Sequence, residues 1–186
     1  LVTDPTPKMV EEVRKAQKLP RHPRLCQIVG FHQVDSYAFA AMELVEGEEL
    51  GQRIAREGRL DAESVVSVGL DLCDGLQALH KADLVHQDIE PGNILLDADG
   101  RVKIIDLGFA GRKRWWGRTL PYASPEQLMA LEGLRASTPT PASDLFAVGC
   151  VLYEMLTGRQ VFPEGCLVDF GPVSPGRLYP DVPAHL

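Results

Sequence analysis

The sequence predicts an α+β fold, and three observations predict it. Val65, Val68, Leu72, Leu76 and Leu79 recur at 3-4-4-3 spacing behind Asp61, the pattern of one apolar helix face with an acidic N-cap. Two short hydrophobic runs, Ile94-Leu95-Leu96 and Val102-Lys103-Ile104-Ile105, flank Asp97-Ala98-Asp99-Gly100 and read as a hairpin around a turn. Asp144 to Thr157 is apolar nearly all round, as a fully buried helix should be; Ser143 can cap it and Gly158 ends it. At 186 residues the chain can bury a substantial core, as one domain or as two small lobes.

Composition narrows the function classes. The net charge of −7 argues against a general nucleic-acid-binding surface. Cys26, Cys73, Cys150 and Cys166 are widely separated and form no C-x-x-C pair, which suits free thiols in a reducing compartment better than a disulfide framework or a zinc site. The longest apolar stretch, Leu145 to Leu156, is too short to span a bilayer and contains Glu154. No signal-peptide pattern opens the chain, so a soluble, cytoplasmic protein is expected.

The polar residues cluster around the hairpin. His86-Gln87-Asp88 is followed by Asn93, five residues past the Asp, and Asp106-Leu107-Gly108 follows the second hydrophobic run. The hairpin would carry Asn93 and Asp106 on opposite strands, aimed at one site. Here the chain resembles the eukaryotic-type protein kinases, whose catalytic loop is His-x-Asp-x-x-x-x-Asn and whose magnesium-binding element is Asp-Phe-Gly. The resemblance implies a protein-kinase-like bilobal fold and gives each residue a role. Asp88 meets the substrate hydroxyl. Asn93 and Asp106, with the hard oxygen ligands magnesium prefers, hold the metal that bridges the ATP phosphates.

The remaining elements fall in kinase order. Thr6-Pro7 reads as N-cap and first residue of a helix with Met9, Val10, Val13 and Ala16 at helical spacing, Glu11 and Lys15 as an i,i+4 pair, and a stop near Leu19 before Pro20. Arg21-His22-Pro23-Arg24-Leu25 is similar to the turn after helix C in kinases. On that match Glu12 is the helix-C glutamate that pairs with a nucleotide-binding lysine, with Glu11 as its rival. Cys26 to Phe31 and Ser36 to Met42 read as strands. The run Phe39 to Gly47 resembles the last small-lobe strand and the hinge; it implies Met42 as gatekeeper, with the Glu43 carbonyl and Val45 amide facing the adenine and Leu95 flooring its pocket. Thr119-Leu120-Pro121-Tyr122 and Ser124-Pro125-Glu126 resemble the Thr-x-x-Tyr and Ala-Pro-Glu motifs. They imply Thr119 beside Asp88 and Glu126 as an anchor of the activation segment. Asp144 with Gly149 is similar to the central helix-F pattern, whose Asp holds the catalytic loop's backbone. No G-x-G-x-x-G occurs, no lysine-bearing strand precedes the first helix, and Arg177 to Leu186 looks like the approach to a further helix. The expectation is a fragment: residues 1–45 from the small lobe and hinge, 46–186 from the large lobe.

Two residues depart from the family pattern. Gln87 replaces the arginine that grips a phosphorylated activation segment, and residues 109 to 118 contain no Ser, Thr or Tyr, so no phosphorylation switch is expected within them. Glu90 replaces the lysine that reaches toward the transferred phosphate. At about 5 Å and an effective dielectric of about 20 the resulting repulsion is roughly 3 kcal/mol, or about a hundredfold in rate; a turned-away Glu90, or one paired with Arg112 or Arg118, would escape it. Arg112-Lys113-Arg114-Trp115-Trp116 reads as a solvated loop with packed aromatics. The implied function is an ATP- and magnesium-dependent serine/threonine protein kinase acting on a protein substrate, with Pro91 favouring that type over tyrosine kinases. The alternatives are a pseudokinase scaffold, supported by Glu90 and Gln87, and a small-molecule phosphotransferase of related fold.

Overall fold

The computed structural model describes residues 2–3, 6–35, 37–106, 120–131, 133, 138–162, 173–179 and 181–183. The first sheet has the order β1-β3-β2, built from β1 (Val2–Thr3), β2 (Ile28–Val34) and β3 (Tyr37–Met42), all antiparallel. β1 precedes the first helix, as the polar and proline-rich opening does not suggest, and it carries no lysine. The helix α1 (Pro7–Gln17) starts as its sequence predicts: Thr6 is the N-cap and its Oγ1 accepts from the Met9 amide at 3.3 Å. Its buried stripe, Met9, Val13 and Ala16, packs on β2.

β2 begins two residues later than the apolar run suggests and reaches Val34 rather than Phe31. The shift has a cause. The Cys26 amide donates to Ile104 O at 2.8 Å, and the Ile104 amide donates to Arg24 O at 2.8 Å, so Leu25 is bridged in parallel to another strand and Cys26 is not free to pair with β3. That other strand belongs to the second sheet, of order β4-β5-β6: β4 (Glu48–Glu49), β5 (Ile94–Leu96) and β6 (Val102–Ile104). The hairpin β5–β6 pairs Ile94 with Ile104 and Leu96 with Val102 around a turn in which Asp97 Oδ1 accepts from the Asp99 and Arg101 amides at 3.0 and 2.8 Å.

The helix α2 (Leu50–Glu57) and the strand β4 before it are additions to the sequence reading; α2 buries only Leu50 and Ile54, too few positions to display a period. The helix α3 (Ala62–His80) carries the whole predicted stripe, Val65, Val68, Leu72, Leu76 and Leu79, into the core, and Asp61 caps it by accepting from the Ser64 amide at 2.9 Å. α3 packs against β6 on one side and against α5 (Pro141–Thr157) on another. In sequence the short α4 (Pro125–Leu131) precedes α5, and a single helical turn, α6 (Pro175–Leu178), overlaps the start of the segment Arg177 to Leu186.

α5 corrects two expectations. Its N-cap is Thr140, not Ser143; Pro141 takes the first helical position, and Ser143 closes a capping box by accepting from the Thr140 amide at 2.9 Å. Proline's fixed φ and missing N–H make that earlier start favourable. The helix is not fully buried either, since Leu145 is 52% exposed, although Val151 and Met155 are wholly enclosed.

The C-terminal ends of α2 and α5 meet as two left-handed glycines, Gly58 at φ +80° and Gly158 at φ +67°. A Cβ on Gly158 would lie 2.0 Å from the Gly58 carbonyl oxygen, while one on Gly58 would meet nothing within 4 Å. Gly58→Ala is therefore expected to cost only the backbone strain of its positive φ, with no clash. Gly158→Ala adds a backbone clash and is expected to cost several-fold more in equilibrium denaturation; equal losses would contradict the packing of these two ends.

Candidate active site

The site is built on the turn between α3 and β5. Residues 86–88 carry no helix or strand bonding of their own, so their backbone groups need other partners. Asp144, on the first turn of α5 and 1% exposed, supplies them. Its Oδ2 accepts from the His86 amide at 2.9 Å and its Oδ1 from the Gln87 amide at 2.7 Å. The His80 ring, at the end of α3, adds a third contact, Nε2 to Asp144 Oδ2 at 2.7 Å. This is the backbone-holding role that the Asp144 pattern implied. The His80 contact is new; its signal is a polar residue four places after Leu76, on the apolar stripe itself.

His86 is 2% exposed and spans the site. Its Nε2 lies 3.0 Å from Ile105 O, which can only accept, so the ring proton sits there; its Nδ1 then accepts from the Asp88 amide at 3.3 Å. The Ile105 amide in turn donates to Asn93 O at 3.0 Å. Ile105 thus locks the second hydrophobic run to both ends of the segment from His86 to Asn93, and Asp106 follows at once.

The structure brings Asp88 and Asn93 together directly. Asn93, 7% exposed, donates from Nδ2 to Asp88 O at 2.8 Å and to Asp88 Oδ2 at 3.0 Å. Among the described residues this leaves Asn93 Oδ1 and Asp88 Oδ1 unengaged, one amide oxygen and one carboxylate oxygen. Asp106 is half-buried and sits at φ +61°, a left-handed conformation that a non-glycine residue holds only under constraint. No cluster of three or more His, Cys, Asp or Glu gathers among the described residues. A donor set of one amide oxygen and one carboxylate still fits magnesium, which takes few protein ligands and completes its shell with phosphates and water.

Toward the first sheet, Leu95 is half-buried on the face of β5 opposite the core residues Ile94 and Leu96, directly across from Lys103. Lys103 Nζ reaches Glu43 Oε1 at 2.6 Å and Leu25 O at 3.1 Å, tying β6 to the segment after β3. Burial alone would raise the Glu43 carboxyl, but the Lys103 ammonium and the Gln27 amide outweigh it and hold it below the usual carboxylate value. The Glu43 carbonyl takes the Cys26 thiol at 3.6 Å, and the Val45 amide has no acceptor among the described residues. Met42, at the end of β3, is 36% exposed. On α1, Glu12 rather than Glu11 points inward. Glu11 is exposed and paired with Lys15 at 3.1 Å, whereas Glu12 has Oε1 3.8 Å from Lys8 Nζ and Oε2 buried without a hydrogen-bond partner among the described residues, and desolvation raises its pKa.

Thr119 and the residues Leu107 to Arg118, which include Gly108 and both arginines considered for Glu90, lie outside the described residues, as does Cys166. Tyr122 is buried and donates its hydroxyl to Glu154 on α5, with Gln160 Nε2 at 3.4 Å from the same oxygen. Burial and then the Glu154 carboxylate raise the Tyr122 phenol; Glu90 adds to the rise. Glu126 accepts from Ser143 Oγ at 2.6 Å, so the anchor implied for it is made to the first turn of α5. Cys26, Cys73 and Cys150 are free thiols, and no described helix is long and apolar enough to cross a membrane.

A core-helix carboxylate thus holds a buried turn that presents the Asp88–Asn93 pair, and the adjoining hairpin ends at Asp106. The chain matches the protein kinase domain model over residues 3–167 and belongs to that family. It is 35% identical over 159 residues to the serine/threonine-protein kinase PknA of Corynebacterium glutamicum, covering 81% of this chain and 33% of that protein. It is 36% identical over 155 residues to PknL of Mycobacterium tuberculosis, covering 79% and 37% respectively. The crystal structure of Rad53 1-466 in complex with AMP-PNP superposes with a TM-score of 0.69 at 27% identity, covering 84% of this chain and 39% of that one. The chain therefore spans about a third of the length of these relatives.

Two outcomes follow from the site's electrostatics. Asp144→Ala would leave the His86 and Gln87 amides buried without acceptors, at about 1–3 kcal/mol each, and is expected to lower the denaturation midpoint far more than Asp74→Ala on exposed α3 surface. At Glu154 desolvation raises the carboxyl's pKa despite the Tyr122 hydrogen bond. A carboxyl raised in the folded state favours folding below its unfolded value and loses that advantage as pH rises through the folded value. Glu154→Gln, which keeps an acceptor for Tyr122, should therefore match the parent's stability near pH 4 and exceed it at pH 7.

Proposed function

We propose that this chain is the catalytic part of an ATP- and magnesium-dependent serine/threonine protein kinase. Its residues divide into a small-lobe and hinge portion, 1–45, and a large-lobe portion, 46–186. The observation that carries the reading is the Asn93–Asp88 pair, with two oxygens left over, set across Ile105 from Asp106. Asp88 Oδ1 is the group that meets the incoming hydroxyl and takes its proton. Asn93 Oδ1 and the Asp106 carboxylate are the magnesium ligands, and bound magnesium supplies charge neutralisation on the ATP phosphates. Leu95, Met42, the Glu43 carbonyl and the Val45 amide make the adenine site. Glu12, whose Oε2 is buried and has no hydrogen-bond partner among the described residues, is the helix carboxylate suited to a cation beside the phosphates. Thr119 completes the set next to Asp88. The serine/threonine names of PknA and PknL support the choice of acceptor, and the nucleotide analogue in the Rad53 complex supports the choice of donor.

The test is phosphoryl transfer from ATP to a generic protein substrate by the full-length protein with magnesium. Asp88→Asn removes the base and is expected to lower kcat by about a hundredfold to ten-thousandfold, with the fold intact by circular dichroism. Asp106→Asn is expected to raise the magnesium requirement as well as lower kcat. Glu90→Lys places a cation where the family carries its lysine and should raise kcat. A parent protein that is silent, and whose Glu90→Lys variant is active, would mark a scaffold disabled at that position.

A further inference from the structure

We propose that Gln127 is a positioning residue for Asp88, coupling the Ser124-Pro125-Glu126 segment to the catalytic turn. The inference rests on the kinase reading above and adds a residue to it. Gln127 is 5% exposed at the start of α4. Its Nε2 donates to the Gln87 carbonyl at 3.0 Å, and its Oε1 accepts from both the amide and the hydroxyl of Ser124, each at 3.0 Å. Ser124 is fully buried. Only one orientation of the carboxamide satisfies these partners, because the Ser124 amide can only donate and the Gln87 carbonyl can only accept.

The target of that donation matters. The Gln87 carbonyl and the Asp88 amide are the two ends of one planar peptide unit. His86 Nδ1 holds the amide end at 3.3 Å and Gln127 holds the carbonyl end. Gln87 itself sits at φ +69°, a left-handed conformation that costs a side-chain-bearing residue and persists only where surrounding contacts enforce it. Asp144 secures the preceding amide; Gln127 secures the unit that aims Asp88. The same carboxamide grips Ser124, one residue before Pro125 in the segment that the kinase reading places against the substrate. One side chain thereby bears on both the orientation of Asp88 and the seating of Ser124.

The experiment uses full-length protein and compares parent, Gln127→Met and Gln127→Glu. Methionine keeps the volume without the hydrogen bonds; glutamate keeps the Ser124 acceptor but turns an oxygen toward the Gln87 carbonyl. Two readouts are taken: kcat and KM for ATP, and amide hydrogen exchange at Asp88 and along α3. The expected result for Gln127→Met is a fall in kcat of about tenfold, the worth of one net hydrogen bond, with KM for ATP unchanged. Exchange at the Asp88 amide should quicken by a similar factor while that at Leu72 and Leu76 stays fixed. Gln127→Glu should show the same pattern more strongly, and it decides the matter if the methionine variant does not fold. Parent-like kcat and exchange in both variants would overturn the proposal, as would faster exchange spread evenly through α3, which marks general destabilisation. A parent protein without transferase activity would sink the kinase reading but not this test, since exchange at Asp88 then decides alone.

Discussion

Burying a carboxylate is unfavourable unless hydrogen bonds replace the water it loses, and Asp144 at 1% exposure is the position where this protein accepts that cost. The two backbone amides it takes belong to consecutive residues of the catalytic turn, so a helix in the core dictates the path of a segment that has no secondary structure to dictate it. Everything nearer the chemistry depends on that fixed path. His86 can span to Ile105 only because its backbone is pinned, and the Ile105 amide can reach Asn93 only because the hairpin is pinned to His86. The chain of contacts runs from core helix to turn to hairpin, and the Asp–Asn pair is its last link.

A second buried carboxylate repeats the logic on the other side of α3. Asp71 accepts from the Val102 amide at 3.2 Å and from Arg101 Nε at 3.2 Å. Arg24 Nε lies 2.9 Å from its other oxygen, close enough for an ion pair though not aligned as a hydrogen bond. Asp71 thus fixes the start of β6 to α3 as Asp144 fixes the turn to α5. The turn that carries Asp88 and the hairpin that leads from Asn93 toward Asp106 are thus each held by a helix carboxylate.

The fold was legible where local physics and tertiary demand agree. The stripe of α3, the Thr6 and Asp61 caps and the β5–β6 hairpin all announce themselves by period or by turn chemistry, and the structure has each of them. The candidate site was legible through the spacing of Asp88, Asn93 and Asp106, because the hairpin length that separates them is written in the sequence. What escaped was set by contacts distant in sequence. Cys26 leaves its strand for Ile104, 78 residues on from it, and nothing local to Cys26 signals that. The start of α5 turned on whether Thr140 or Ser143 capped it, and both are good caps; Pro141 decides for the earlier one. Gln127 and Lys103 were invisible as site residues because a glutamine after an acidic turn and a lysine in a strand are ordinary solvated residues until their partners are known.

The parallel bridge at Leu25 has a mechanical consequence. The two backbone hydrogen bonds that flank it, both 2.8 Å, are short and oppose any sliding of the first sheet along β6. Lys103, gripping Glu43 and Leu25 O together, resists separation at the neighbouring point. The open end of the β2–β3 hairpin is therefore moored to the strand that runs into Asp106.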